Sequence, residues 1–125
     1  MIDSVLGSLH FSTGWKAESE VNLVGKTHRI VIKARAYYEA DGLTPEQRSA
    51  FSDYKYHDSE RQKEAEALLS SYAGENCKMR FCPRTLLFER DGEYALLCDD
   101  EDDPDGGIAI VLAPEPKVVS QDDYL

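Results

Sequence analysis

The fold turns on one stretch: Trp15-Lys16-Ala17-Glu18-Ser19-Glu20-Val21-Asn22-Leu23-Val24-Gly25-Lys26-Thr27-His28-Arg29-Ile30-Val31-Ile32-Lys33-Ala34-Arg35. In its first half Ala17, Ser19, Val21 and Leu23 alternate with Lys16, Glu18, Glu20 and Asn22. In its second half His28, Ile30, Ile32 and Ala34 alternate with Arg29, Val31, Lys33 and Arg35. A period of two is the mark of a strand with one buried face. The β-branched residues at 30–32 favour the same conformation. Val24-Gly25-Lys26 lies between the halves, and Gly25 can take the positive φ of a tight turn. The stretch therefore predicts two long antiparallel strands joined as a hairpin.

Upstream, Leu6 to Phe11 reads as a short strand, and Gly14 marks a turn. Downstream, Asp41-Gly42-Leu43 breaks the alternation. Thr44-Pro45-Glu46-Gln47 is a helix start: Thr44 caps, Pro45 suits the first helical position, and Gln47 completes a capping box. Phe51 and Tyr54 share a face. The helix either runs through or restarts at Asp58 or Ser59. Ala65, Leu68, Leu69 and Tyr72 then form a core-facing stripe, and Gly74 suits the residue after a helix end. Strands return at Arg84 to Arg90, Tyr94 to Cys98 and Ile108 to Leu112, with Asp91-Gly92 as a hairpin turn. Pro114 and Pro116 punctuate, and Val118-Val119 can add an edge strand. The expected order is β-β-β-α(α)-β-β-β. This is a single α+β domain spanning 1–125, with an antiparallel sheet of about six strands and a helical segment packed on one face.

The chain has 125 residues, with 24 acidic side chains against 14 Lys and Arg, and a net charge of −10. That balance excludes a basic nucleic-acid binder. The charge is segregated along the chain. Residues 1–85 hold 12 acids and 12 bases, whereas residues 86–125 hold 12 acids against only Arg90 and Lys117. Half of those late acids fall in Asp99-Asp100-Glu101-Asp102-Asp103-Pro104-Asp105, which reads as an acidic loop between two apolar strands. Such a concentration repels phosphate and speeds the approach of a cationic partner.

Other chemistry is not legible. His10, His28 and His57 fall in separate elements and form no nucleophilic pairing. An EF-hand register started at Glu101 puts Asp103, Asp105 and Gly106 in place, but its twelfth position is Leu112. Gly106-Gly107 sits among acids that would repel phosphate. Cys77, Cys82 and Cys98 are odd in number and lack a C-x-x-C, so they predict neither a disulfide framework nor a zinc site. With no signal peptide or membrane-length apolar run in view, the expectation is a reduced, cytoplasmic protein. No catalytic residues, cofactor or metal site are expected. Aromatic residues favour interfaces, so Trp15 and Tyr38 are candidate anchors. In each of the pairs Tyr37-Tyr38 and Tyr54/Tyr56, at least one ring should be exposed.

From Leu86 onward the chain resembles a bacterial domain-of-unknown-function family of small acidic α+β proteins. The resemblance rests on Phe88-Glu89-Arg90-Asp91-Gly92-Glu93-Tyr94-Ala95-Leu96-Leu97, on Asp103-Pro104-Asp105-Gly106-Gly107-Ile108-Ala109-Ile110-Val111, and on Gln121-Asp122-Asp123-Tyr124-Leu125. This chain departs from that pattern at Asp102, where the family carries an aromatic residue, and at Gly106, where it often carries a histidine. The resemblance implies a bacterial α+β domain of the kind sometimes encoded beside toxins as an immunity partner. The expectation is thus a non-enzymatic acidic binding protein that neutralises a cationic toxin domain, such as a nuclease. Its partner-binding residues would be Asp99, Asp100, Glu101, Asp102, Asp103 and Asp105, with Trp15 and Tyr38. The alternative is a divalent-cation-binding or regulatory domain using the same carboxylates. Oligomeric state is left open.

Overall fold

The alternating stretch forms the expected hairpin, β4 (Trp15–Leu23) against β5 (Lys26–Ala34), paired in register from Trp15↔Ala34 to Leu23↔Lys26. These elements belong to a computed structural model that describes residues 2–3, 7–11, 14–23, 26–36, 39–73, 81–101, 103–113 and 115–124. The turn expected at Val24-Gly25, the helix end at Gly74, and Tyr37, Tyr38, Cys77, Asp102 and Pro114 lie outside the described residues. The single strand expected over Leu6–Phe11 is instead two short pieces. Gly7–Ser8 (β2) pairs with Ile2–Asp3 (β1), while His10–Phe11 (β3) joins the main sheet beside β4.

The capping box opens α1 (Pro45–Tyr56) as its residues dictate. The Thr44 hydroxyl accepts from the Gln47 amide at 3.0 Å, and Gln47 Oε1 accepts from Thr44 N at 3.0 Å. The helical segment breaks at His57 and resumes as α2 (Asp58–Ala73), so the segment is two helices. Four strands follow: β6 (Phe81–Phe88), β7 (Tyr94–Asp100), β8 (Asp103–Ala113) and β9 (Lys117–Ser120). A short helix, α3 (Gln121–Tyr124), comes last.

The main sheet has seven strands in the order β3-β4-β5-β6-β7-β8-β9, the same as their order in the chain. Six expected strands become seven through β9. The sheet is also not wholly antiparallel, because β5 and β6 run parallel over Val31–Ala34 and Thr85–Phe88. The reason is the connection between them. It carries α1 and α2 across one face and brings the chain back to the end where β5 began, and a strand entered from that end runs parallel. All other neighbours in this sheet are antiparallel.

Helix α2 packs against β4 and also against β8 and β9, four and five strands away. Five strand spacings of about 4.8 Å separate β4 from β9 by about 24 Å, and the 16 residues of α2 reach about as far at about 1.5 Å each, so one helix lying across the strands can touch all three. The helix-covered face holds the main core. Val21, Leu23, Ile30, Ile32, Leu86, Leu96 and Ile110 meet Phe51, Ala65 and Leu69 from the helices. An aromatic cluster fills one end: Phe88 stacks on Tyr94 at 5.0 Å between centroids, and Phe51 and Tyr54 lean on Phe88 at 5.5 and 6.5 Å. Each such pair adds about 1 kcal/mol beyond the area it buries.

The opposite face is divided. Over β4 and β5 it carries the alternating charges. Over β7 and β8 it buries Ala95, Ala109 and Val111 beneath Tyr124 of α3, with Leu97 and Val119 beside them. The stripe expected on α2 holds at Ala65 and Leu69, is half-buried at Leu68, and ends at Tyr72, which is exposed but leans on Phe81 at 5.9 Å. Cys98 is buried, and burial pushes its thiol pKa up; Cys82 is half-buried.

Candidate partner-binding surface

Leu96↔Ile110 and Cys98↔Ile108 set a register that continues past the apolar residues to Asp99↔Gly107 and Asp100↔Asp103. The acidic stretch is therefore not a loop, as its composition suggests, but the end of the β7–β8 hairpin. Asp has a low strand propensity, and the ladder of apolar neighbours overrides it. A register shift between Asp99 and Asp100 marks a bulge at this end.

The expected contact residues divide by environment. Asp99 is exposed, and its carboxylate takes a 2.8 Å hydrogen-bonded ion pair from Arg84 Nε, the hydrogen bond raising the Arg84 pKa. Asp100 is 6% exposed, so its side chain is set into the fold rather than offered to a partner. Glu101 and Asp103 are exposed. Asp102 and the Asp105 side chain lie outside the described residues. Trp15 is 4% exposed and packs edge-on against Phe11 at 5.3 Å between centroids, so it is no surface anchor. It opens the apolar face of β4, the face shared with Val21 and Leu23, and that face turns inward. Tyr38 lies outside the described residues. Tyr54 is buried whereas Tyr56 is 85% exposed.

Two further acids belong to this end. Gln121 Nε2 donates to the carbonyl oxygens of Cys98 (2.8 Å) and Ile108 (3.3 Å), fixing α3 beside the hairpin end. Gly107 makes room for that amide: a Cβ there would collide with Gln121 and lie 2.6 Å from the Cys98 carbonyl oxygen. The exposed Asp122 and Asp123 follow Gln121 directly and so join the same anionic surface. The sequence lists them among the late acids but gives no sign of where they fall, since four residues carry no helical period.

The positive charges gather elsewhere. Lys16 and Lys33 are cross-strand partners on the face away from the helices, near Arg35. Burial first, then these like-charged neighbours, lowers the Lys33 pKa. Arg35 is held by Glu89 at 2.8 Å.

At the other end of β7 an open groove of about 600 Å³ lies between the first turns of α1 and the β6–β7 turn. Pro45, Ala50, Tyr94 and Ala113 form its apolar part, and Glu46 and Asp91 flank it. Gly92 has φ +95° and its Cα faces the Glu46 carbonyl, where a Cβ would come within 3.0 Å. Beneath the groove Asp53, Tyr94 and Arg61 form a network. The Tyr94 hydroxyl donates to Asp53 Oδ2 at 3.2 Å and accepts from Arg61 Nε at 3.0 Å. Arg61 also reaches Asp53 at 3.1 Å and Glu64 at 3.1 Å. Burial pushes the Tyr94 pKa up to about 12, with Arg61 opposing. Burial pulls the Arg61 pKa down, but hydrogen bonds to Asp53 and Tyr94 outweigh it and raise it.

Among the described residues no group of three or more His, Cys, Asp or Glu is placed to hold a metal ion, and no helix is long and apolar enough to cross a membrane. No family model, curated protein or solved structure matches this chain.

Proposed function

We propose that this chain is a non-enzymatic binding protein that presents an anionic surface to a cationic protein partner. The particular role that fits is that of a bacterial immunity protein, neutralising a basic toxin domain such as a nuclease. One observation carries the reading. The sheet keeps its strands in chain order, so the acids of β7 and β8 stand on strands separated from β4 and β5. Asp99, Glu101, Asp103, Asp122 and Asp123 are exposed around the β7–β8 end, and among the described residues only Asp99 of these has an ion-pair partner, Arg84. A nuclease grips phosphates with a basic cleft, and an anionic projection on a rigid hairpin complements such a cleft. The resemblance of residues 86–125 to a family of small acidic bacterial proteins belongs to the same proposal.

The test is co-purification with the product of the neighbouring reading frame, followed by stopped-flow association. Neutralising Glu101, Asp103, Asp122 and Asp123 to their amides should slow association about tenfold at low salt and flatten its salt dependence. An unchanged association rate with an unaltered fold would refute the assignment of this surface.

A further inference from the structure

The groove at the α1 and β6–β7 corner is separate from the anionic hairpin end. Tyr94 opens β7 and Asp100 closes it, which at about 3.3 Å per residue sets the two surfaces roughly 20 Å apart. The groove has an apolar floor and a charged rim. Ala50, Tyr94 and Ala113 supply methyl and ring surface. Glu46 and Asp91 are exposed on its sides.

Among the described residues these two carboxylates face no cation. Asp91 Oδ1 accepts from the Glu93 amide at 2.9 Å, which fixes its position without neutralising it. Arg90, its chain neighbour, turns away and donates to the carbonyl oxygens of Arg35 and Gly42 at 3.1 and 2.7 Å. Arg61 is already committed to Asp53, Glu64 and Tyr94, so the charge of Asp53 is compensated from below. What stays open is a groove whose unmatched charge is negative at the rim and whose floor is hydrocarbon.

We propose that this groove is a second docking site, and that its occupant is an arginine side chain of a protein partner. Charge complementarity selects the occupant. The aliphatic stem of arginine suits the Ala50–Ala113 floor, and its guanidinium fork offers paired N–H donors to carboxylates. Lysine presents a point charge with a larger hydration shell to lose. The site does not depend on the hairpin end, and the two can stand or fall separately.

The test is a nitrogen-15 NMR titration of the full chain with acetyl-Gly-Arg-Gly-amide, using the citrulline peptide as an uncharged control of the same shape. The arginine peptide should shift the amide signals of Ala50, Gly92 and Ala113 saturably, and the citrulline peptide should not. The double variant Glu46→Gln, Asp91→Asn should weaken binding about fivefold, the product of two exposed charge contacts. The pair Glu101→Gln, Asp103→Asn should leave the groove shifts unchanged. The proposal is overturned by equal shifts from both peptides, by shifts confined to the hairpin end, or by no saturable shift at millimolar peptide. Loss of toxin-type association on neutralising the hairpin acids, with groove shifts intact, would separate this site from the function proposed above.

Discussion

Replacing Gln47 by glutamate exchanges one amino group for an oxygen and alters little else in shape. Gln47 is 1% exposed. Its Nε2 donates to the carbonyl oxygens of Arg35 (2.9 Å) and Phe88 (3.2 Å), the residues that end the β5 and β6 region, while Oε1 accepts from Thr44 N. This one side chain thus ties α1 to both strands of the parallel pair. A carboxylate still accepts from Thr44, but its other oxygen faces two carbonyl oxygens. Two hydrogen bonds vanish, at about 1 kcal/mol each. The buried charge adds to that, tempered by Arg90 Nη1, which lies 3.1 Å from the Arg35 oxygen. A loss of about 3 kcal/mol is expected at pH 8.

The sign of the pH dependence follows from the same geometry. The introduced carboxyl is disfavoured as an anion in the folded state, so its folded pKa rises above the unfolded one. The deficit against the parent is then smallest below the ordinary carboxylate range and grows as pH rises through the folded pKa. Urea unfolding followed by the fluorescence of Trp15, the sole tryptophan and a buried one, measures both quantities. Equal stability of Gln47→Glu and parent at pH 8, or a deficit independent of pH, would refute the reasoning.

Three further outcomes are expected. Because burial holds Tyr94 at about 12 against an ordinary 10, the unfolded chain ionises this phenol first as pH rises. Stability falls by about 1.4 kcal/mol per pH unit across that window, and Tyr94→Phe should remove this share of the slope in alkaline urea titrations. Arg84→Gln breaks an exposed ion pair, so urea curves should move by less than about 1 kcal/mol. The freed Asp99 should quicken association with a cationic partner, whereas slower association would mean that Arg84 itself touches the partner. Gly107→Ala forces a methyl group onto Gln121 and the Cys98 carbonyl, and should cost about 2 kcal/mol. Hydrogen exchange at the β7–β8 amides should rise with it, and unchanged exchange would show that α3 adjusts freely.

Where burial alternates along the chain, the sequence declares the structure. Trp15–Leu23 and Lys26–Ala34 are legible because one face of each is wet. The β7 and β8 strands are legible because both faces are covered and their cores are nearly all apolar. The α1 start is legible because a capping box is a local bond pattern. The parallel pairing of β5 and β6 is not, since strand direction depends on where the crossover returns and no residue records that. The acids at 99–105 misled because composition suggests a loop while pairing is imposed by Cys98↔Ile108. Trp15 misled because an aromatic side chain suits an interface as well as a core. The alternation already placed it on the face of Val21 and Leu23, and that was the signal to follow. Gln47 was visible as a cap, but its buried reach to Arg35 and Phe88 is tertiary and left no mark in the chain.

The agreement between strand order and chain order has a kinetic consequence. Nearly every ladder in the main sheet closes a short hairpin, so β4–β5 and the β6–β9 meander can each nucleate from local contacts. Only the β5–β6 ladder joins distant stretches, and it must wait until α1 and α2 span the gap from Ala34 to Phe81. Loop closure across that gap should set the speed of refolding. Docking of the N-terminal hairpin onto the meander is thus the step with the longest loop to close.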